Sequence, residues 1–337
     1  MDYTVAMQRA ITLSEKGLGK CAPNPIVGAV IIDSAGNVIG EGFHDRMKSN
    51  DHAEVVAIKN AGKAAAGATL IVTLEPCNHL GQTGPCTQVI IDAGITTVVF
   101  AVTDPNPIAA GGQVRLQSAG INVVTGVLSD EASYSNRAWL TKITKKRPYF
   151  IWKVATTLDA KIAASDGSSK WISNEVSRSD VQRLRRQSDA ILVGTNTVVA
   201  DNPHLIPRGD FKGYTRNPIR VICGEQQLPK TSQVFDDAAQ TIVVKSKDLT
   251  QLVAKLNELE LNQVFVEAGS TFASALMAAG LLDELVIYQA PTLLGAGKTF
   301  YQNEDNTTIE DLMRLKHIST EVLAGDIKSV YLVAGGI

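Results

Sequence analysis

Two segments, HAEVVAI at residues 52–58 and TLEPCNHLGQTGPC at residues 73–86, decide the fold of the first half of this sequence. The first has the pattern of a helix and follows SND at residues 49–51, residue types that cap helix N-termini. The second begins as a buried strand, so that Cys77 follows a strand and Cys86 opens the next helix. Helix N-termini favour negative charge, and therefore favour the thiolate form that a metal ion requires.

The residue types in these segments predict a catalytic metal site. His52, Cys77 and Cys86 form a three-ligand zinc set, which leaves a fourth position for water, as catalytic zinc sites do. Zinc lowers the pKa of such a water from about 15.7 to roughly 7. Glu54 stands two residues after His52, where a carboxylate that does not bind the metal can shuttle protons.

Other interpretations of the same residues remain open. A disulfide between Cys77 and Cys86 is disfavoured, because four cysteines in 337 residues do not make a disulfide scaffold and a reducing compartment keeps thiols reduced. His79 would complete a four-ligand structural zinc site, although such a site gives Glu54 no role. His44 is interpreted as a strand-end residue, with a position near the pocket as its alternative. A chance scatter of these residue types is the third alternative to a catalytic zinc site.

The length, composition and charge of the chain limit the classes of protein to which it can belong. A length of 337 residues predicts two domains. The apolar content of 45% and the net charge of −2 are typical of a globular protein with no general attraction to nucleic acid or to anionic membranes. No apolar run reaches the roughly 18 residues of a membrane span, and the first residues do not have the pattern of a signal peptide. The expected location is the cytoplasm.

Strand and helix patterns alternate through both halves of the chain. Continuous Val/Ile runs such as residues 27–32 and 69–74 alternate with helical segments, which indicates a sheet covered by helices on both faces. Residues 140–147 (LTKITKKR) are basic and weakly apolar, and we interpret them as a linker. The pattern then restarts at residue 149, so the sequence predicts two α/β domains in tandem, at residues 1–146 and 147–337.

The first half resembles a known family. The order H-x-E, P-C, then a second Cys is that of zinc nucleobase deaminases, although eight residues rather than two separate the cysteines. With APNPIVGAVI (22–31) and DPNP (104–107), these segments resemble the deaminase domain of the RibD family of bifunctional riboflavin-biosynthesis enzymes. The resemblance implies a cytidine-deaminase-like three-layer α/β/α domain that binds one zinc ion, in which Asn24 contacts the substrate.

The second half resembles the reductase domain of the same family. LDAKIAASDGSSKWIS (158–173), VGTNTVVADNPHLIPR (193–208) and VEAGSTFASAL (266–276) carry the likeness, which departs from the family at Ala160, where a glycine is more usual. It implies a dihydrofolate-reductase-like α/β fold that uses NADPH. The implied NADPH contacts are Ala155, Trp171, Thr197, Asp201, Gly269, Ser270, Thr271, Phe272, Ala273, Ser274 and Ala275. The implied contacts to a ribose-phosphate substrate are Ser169, Arg185, Leu205, Arg208 and Glu267.

Two of these residues also have a purely structural interpretation. Arg185 lies in the run RLRR, which a solvated helix face would also explain, and Trp171 would also fit core packing. Two arginines, Arg185 and Arg208, suit a substrate phosphate because guanidinium groups bind phosphate in a bidentate way.

The resemblance implies a bifunctional enzyme. The first domain is expected to deaminate 2,5-diamino-6-(5-phosphoribosylamino)pyrimidin-4(3H)-one. The second is expected to reduce the ribosyl group of 5-amino-6-(5-phosphoribosylamino)uracil to ribityl with NADPH. The alternatives are a nucleic-acid or nucleoside deaminase fused to a nucleotide-binding domain, and a non-catalytic pair of folds. Expected partners are small phosphorylated pyrimidines, with no nucleic acid and no membrane, in a homo-oligomer.

Overall fold

The structure is a computed structural model that describes residues 2–79, 84–303 and 308–333. The chain divides into two compact units, Met1–Lys146 and Arg147–Ile337. Within the described ranges, no helix is both long enough and apolar enough to cross a membrane.

The first unit is built on a five-stranded sheet with the strand order β2-β1-β3-β4-β5. Strand β1 is antiparallel to β2 and β3, whereas β3, β4 and β5 are parallel. Its elements are α1 (Thr4–Ser14), β1 (Gly28–Ile32), β2 (Val38–Phe43), α2 (Ala53–Ala61), β3 (Thr69–Leu74), α3 (Cys86–Asp92), β4 (Thr97–Val102), α4 (Gly112–Ser118), β5 (Asn122–Thr125), α5 (Ser129–Ser135) and α6 (Arg137–Lys145).

Helices cover both faces of this sheet. Met7 of α1 and Ala132 of α5 pack against alternate strand residues such as Val30. Helices α2, α3, α4 and α6 cover the other face, where Trp139 and Phe100 are part of the buried cluster. The strands therefore read as nearly continuous apolar runs, because both faces are buried. The predicted three-layer α/β/α architecture is confirmed.

Two glycines bring α2 against the sheet. A Cβ atom on Gly40 would overlap the carbonyl oxygen of Ala57, and one on Gly42 would overlap that of Ala53. Glycine is thus required at both β2 positions for the close approach of α2. This packing fixes the start of α2, which carries the H-x-E segment.

The predicted linker at residues 140–147 is wrong. Helix α6 continues to Lys145, and its residues Leu140 and Ile143 pack against the buried cluster that contains Trp139. Lys145, one of the lysines that suggested a linker, is exposed on the polar side of an amphipathic helix, which is the ordinary composition of a surface helix. The two units meet in sequence directly after this helix.

The second unit contains an eight-stranded sheet with the order β10-β9-β8-β11-β6-β12-β15-β14 and a two-stranded sheet, β13-β7. Its elements are β6 (Tyr149–Thr156), β7 (Lys161–Ala164), α7 (Glu175–Arg186), β8 (Ala190–Gly194), α8 (Thr195–Asp201), β9 (Ile219–Cys223), β10 (Thr241–Val244), α9 (Leu249–Glu258), β11 (Gln263–Val266), α10 (Ser270–Ala278), β12 (Glu284–Gln289), β13 (Gly297–Thr299), β14 (Lys316–Leu323) and β15 (Asp326–Leu332).

The large sheet is parallel from β10 to β12 and ends in two antiparallel strands, β15 and β14. Its carboxyl-terminal edge therefore gathers the segments that follow β8, β9, β10 and β11. In open parallel sheets, ligands bind outside this edge. The predicted α/β architecture of the second unit is confirmed.

Candidate metal centre and cofactor cavity

Three elements of the first unit bring the predicted metal ligands together. His52 directly precedes α2 in an extended conformation and is its N-cap, so residues 49–51 do not cap this helix, contrary to the sequence prediction. The helix starts one residue later because the His52 backbone is extended while its side chain turns toward the cysteines. Cys77 lies three residues after β3, and Cys86 is the first residue of α3.

The geometry of this cluster fits a tetrahedral metal ion. His52 Nδ1 lies 3.2 Å from Cys86 Sγ and 3.6 Å from Cys77 Sγ, and the three ligand atoms lie within 4.8 Å of one another. Zn–S and Zn–N bonds of about 2.3 and 2.0–2.1 Å place tetrahedral ligand atoms roughly 3.6 Å apart. The backbone N–H of Cys86 also donates to Cys77 Sγ, at 3.4 Å.

The electrostatics of the cluster also suit a cation. The hydrogen bond with Cys86, together with the nearby His52, lowers the pKa of Cys77 to about 4. The same pairing with Cys77 and burial raise the pKa of Cys86. Two sulfur atoms packed this closely cannot both be thiolates without a positive charge between them, and a divalent cation supplies it. The residues present therefore fit zinc.

Glu54 lies beside the cluster without belonging to it. Its side chain is only 3% exposed, and burial raises the pKa of its carboxyl group. One carboxylate oxygen, Oε2, has no hydrogen-bond partner among the described residues. An orphaned buried carboxylate is costly unless a ligand completes it, so Glu54 is poised toward a group that binds at the cluster.

Two further residues adjoin the cluster. Asn24, the predicted substrate contact, lies with its Nδ2 3.2 Å from Nε2 of His44. His44 is buried, contacts the carbonyl oxygen of Asp51 through Nδ1 at 2.9 Å, and packs edge-on against the ring of His52. His44 directly follows β2, as the sequence interpretation of a strand-end residue predicted, and the fold also brings the end of β2 beside the start of α2.

His79 does not belong to the metal cluster within the described ranges, which group only His52, Cys77 and Cys86. Its Nδ1 is buried without a hydrogen-bond partner in that part of the chain. The structural-zinc alternative, in which His79 closes the site, is therefore not supported. Residues 80–83 of the predicted loop lie outside the described residues.

A cavity of about 1010 Å³ lies along the carboxyl-terminal edge of the large sheet in the second unit. Of the predicted NADPH contacts, Thr197, Gly269, Ser270, Thr271, Phe272 and Ala275 line it. The remaining predicted contacts are not among its lining residues: Ala155, Trp171, Asp201, Ala273 and Ser274. The volume and the free N–H groups at the start of α10 fit a dinucleotide with its phosphates.

A buried ionic cluster adjoins the strands that border this cavity. Arg185 forms a bidentate ion pair with Glu267, at 2.8 and 2.6 Å. Burial raises the pKa of Glu267, but the charge and hydrogen bonds of Arg185, together with the charge of Lys153, outweigh burial and hold the pKa below its usual value. Arg208 contributes in the same direction. The interpretation of Arg185 as part of a solvated helix face is wrong, because its side chain is only 16% exposed.

Sequence reasoning missed Lys153. It lies on β6, within electrostatic range of both Glu267 and Arg185, and burial lowers its pKa. The signal in the sequence was a single charged residue in the apolar strand YFIWKVAT. An ammonium whose pKa is lowered by burial, and which lies beside a carboxylate and a guanidinium, is a candidate functional group.

Three predicted ligand contacts differ in how far their side chains are exposed. Leu205 is 2% exposed and packs with Ile191 and Val193 in the core, so only its backbone is available to a ligand. Trp171 is 70% exposed and lies under the guanidinium of Arg178, so core packing is excluded. Ser169 is exposed.

Comparisons with known proteins match both units of the chain. The family model for the cytidine and deoxycytidylate deaminase zinc-binding region matches residues 2–102, and the model for the RibD C-terminal domain matches residues 148–329. The riboflavin biosynthesis protein RibD of Mycobacterium tuberculosis is 41% identical over 324 residues, which cover 96% of this chain and 95% of that protein. The chain belongs to the RibD family.

Other RibD proteins show the same extent of similarity. RibD of Escherichia coli is 39% identical and covers 86% of this chain and 88% of its own length. The solved structure of a diaminohydroxyphosphoribosylaminopyrimidine deaminase/5-amino-6-(5-phosphoribosylamino)uracil reductase from Thermotoga maritima has a TM-score of 0.89 and 35% identity, covering 98% of this chain and 99% of that one. Acinetobacter baumannii RibD has a TM-score of 0.88 at 36% identity, covering 98% of each chain.

RibD proteins combine two activities, and this chain carries both domains at nearly full length. It is a bifunctional enzyme of riboflavin biosynthesis, with a zinc-dependent deaminase in the first unit and an NADPH-dependent reductase in the second. The sequence predictions of family, fold and cofactors are thereby confirmed.

Proposed function

We propose that the first unit deaminates 2,5-diamino-6-(5-phosphoribosylamino)pyrimidin-4(3H)-one and that the second reduces 5-amino-6-(5-phosphoribosylamino)uracil. The observation that carries the first half of this proposal is the buried Glu54 carboxylate beside the His52, Cys77 and Cys86 cluster. A structural zinc site has no use for such a carboxylate. The substrate names come from the T. maritima enzyme, whose fold covers nearly the whole of this chain.

In the deaminase, the side chains have separate tasks. His52, Cys77 and Cys86 would hold the zinc, which would lower the pKa of the attacking water. Glu54 accepts a proton through its unpaired oxygen and returns it to the amino group that leaves the ring carbon. Asn24, oriented by its contact with His44, positions the pyrimidine ring.

In the reductase, the ionic cluster faces the sugar. NADPH, when bound, would supply a hydride to the ribose C1. The ring oxygen would need a proton as its bond to C1 breaks, and Lys153, whose pKa is lowered by burial, is the group that donates it. Arg185 and Glu267 hold one another in a fixed geometry, so that the Glu267 carboxylate can accept hydrogen bonds from the ribose hydroxyls while the exposed Arg208 contacts the phosphate. Here Arg185 positions Glu267 rather than joining Arg208 on the phosphate, since its guanidinium is already paired.

The remaining predicted contacts belong to the same proposal. Ser169 and the backbone of Leu205 would contact the substrate. The cofactor would be contacted by Ala155, Trp171, Thr197, Asp201 and the turn at residues 269–275. The homo-oligomer and the cytoplasmic location also stay proposals, which size-exclusion chromatography with light scattering and cell fractionation would test.

Glu54→Gln tests the deaminase assignment. Because glutamine keeps the shape but cannot accept a proton, we expect ammonia release to fall by about 10²–10⁴-fold. Zinc content, measured by atomic absorption, should stay at one per chain. NADPH oxidation with supplied aminouracil phosphate should persist. Full deamination by the variant would contradict the role of Glu54.

The order of the two reactions provides a second check on the substrate assignment. Purified protein is incubated with the diaminopyrimidine phosphate, with and without NADPH. Ammonia should appear in both samples, whereas NADPH oxidation should begin only after ammonia has formed. Oxidation that precedes ammonia release would reverse the order of the two substrates.

A further inference from the structure

The cavity of the second unit extends well beyond the turn at residues 269–272. At one end it is bordered by this turn and by Ile162, and at the other by Glu225, which follows β9, and by Ser246 and Lys247, which follow β10. The second end lies at the edge of the sheet, because β10 is the outermost strand. No residue of this second end is required by the reaction described above.

The position of the ionic cluster sets the direction in which a dinucleotide lies. Lys153 is on β6 and Glu267 directly follows β11, and these strands are neighbours in the sheet. The nicotinamide must reach the sugar held there. Strands are about 4.8 Å apart, so β10 lies roughly 14 Å from β11 across three strand spacings. The adenosine half of the cofactor therefore falls at the ends of β9 and β10.

Ser246 and Lys247 provide donors suited to a phosphate monoester at that end. The Ser246 hydroxyl oxygen accepts the backbone N–H of Asp248 at 3.0 Å, which leaves the hydroxyl hydrogen available for a ligand. Asp248 in turn caps α9 by accepting the backbone N–H of Thr250. The bend that carries Lys247 is thus fixed by hydrogen bonds on both sides. A lysine ammonium and a hydroxyl are ordinary phosphate ligands.

Glu225 places an opposing charge in the same end of the cavity. Its Oε2 lies 3.5 Å from Lys247 Nζ, and the two side chains are 59% and 82% exposed. An exposed pair of this kind contributes little to stability and rearranges readily. In dinucleotide sites an acidic residue binds an unmodified ribose and repels the 2′-phosphate, whereas a cationic residue accommodates it.

We propose that Ser246 and Lys247 bind the 2′-phosphate of NADPH and that Glu225 opposes it, so that this pair of charges sets the selectivity for NADPH over NADH. The inference rests on the proposed reductase function of the second unit. Lys247 favours the phosphorylated cofactor when it turns from Glu225 to the phosphate. Glu225 weakens that preference, because its carboxylate competes for Lys247 and repels the phosphate.

Equilibrium binding of two fragments tests the subsite without any turnover. Isothermal titration calorimetry is performed on the full-length protein with 2′,5′-ADP, which carries the phosphate, and with 5′-AMP, which does not. Lys247→Ala should weaken 2′,5′-ADP by roughly 5–20-fold and change 5′-AMP by less than about twofold. Glu225→Gln should tighten 2′,5′-ADP by roughly 3–10-fold.

Lys255→Ala is the matched control, because Lys255 is an exposed lysine paired with Glu258 and does not line the cavity. It should change neither affinity, and a melting curve for each variant verifies folding. Equal loss of both fragments in Lys247→Ala would overturn the inference, as would a change of their ratio in Lys298→Ala alone, since Lys298 lines the cavity on strand β13.

A wrong reductase assignment would give a different result from a wrong subsite. If the wild-type protein did not bind NADPH at all, the cofactor function of the second unit would be contradicted together with the subsite. If NADPH bound normally and the fragment ratio were unchanged in both charge variants, only the subsite would be overturned.

Discussion

At the scale of single residues, the two sites differ in the partners that surround their reactive groups. The deaminase site holds Glu54 buried with one unpaired oxygen, which a ligand must complete. The reductase site holds Lys153 beside an already satisfied ion pair of Arg185 and Glu267. Burial lowers the pKa of Lys153, which makes its ammonium a better proton donor than an exposed lysine.

Lys153→Met tests this role, because methionine replaces the stem of the lysine and removes its proton. We expect the kcat for NADPH oxidation to fall by about 10²–10⁴-fold, while the affinity for NADPH, measured by fluorescence titration, changes by less than about threefold. Lys255→Met, on an exposed helix position, is the control and should leave both unchanged. A variant with normal kcat and raised KM would show that Lys153 binds substrate and does not donate the proton.

The residues that sequence alone could predict are those whose chemistry depends on local spacing. His52, Glu54, Cys77 and Cys86 stand at strand and helix ends in an order that few other functions use. Lys153 was missed because it acquires its neighbours only when distant segments pair in the sheet. Leu205 was placed by resemblance, but its side chain packs with strands β8 and β9, which periodicity could not reveal.

At the scale of elements, the start of α2 depends on its contact with β2. A Cβ on Gly42 would overlap the backbone of Ala53, which cannot move without shifting the helix that follows His52. Gly42→Ala should therefore lower the free energy of unfolding by about 1–3 kcal/mol and also weaken zinc retention. Chemical denaturation and zinc competition measure the two effects. Gly84→Ala is the control for stability, since a Cβ there meets no atom within 4 Å.

The strands with continuous apolar runs were predictable as elements, whereas the mostly exposed strand β14 was not. β14 was missed because its residues are mostly exposed and polar, and it is an edge strand whose pairing with β15 supplies most of its order. The segment at 140–147 was mistaken for a linker because it contains only two apolar residues, Leu140 and Ile143, among polar and basic ones. Their helical spacing becomes clear only when the buried Trp139, which precedes the segment, is counted with them.

At the scale of the whole molecule, each activity is built from residues of one unit. The metal cluster uses His52, Cys77 and Cys86 of the first unit, and the cavity is lined entirely by residues of the second. The zinc has no ligand in the reductase among the described residues, and no cavity-lining group belongs to the deaminase. Loss of the metal should therefore separate the two reactions.

Removal of zinc by dialysis against dipicolinate is expected to abolish ammonia release, because the cluster then lacks the ion that lowers the pKa of the attacking water. NADPH oxidation with supplied aminouracil phosphate should stay within about twofold of the untreated enzyme, since metal loss removes folding free energy mainly from the domain that binds the metal. Added zinc should restore ammonia release in proportion to the metal bound. Equal loss of both activities, with both restored by zinc, would mean that the reductase depends on the metal centre, and would contradict the separation of the two sites.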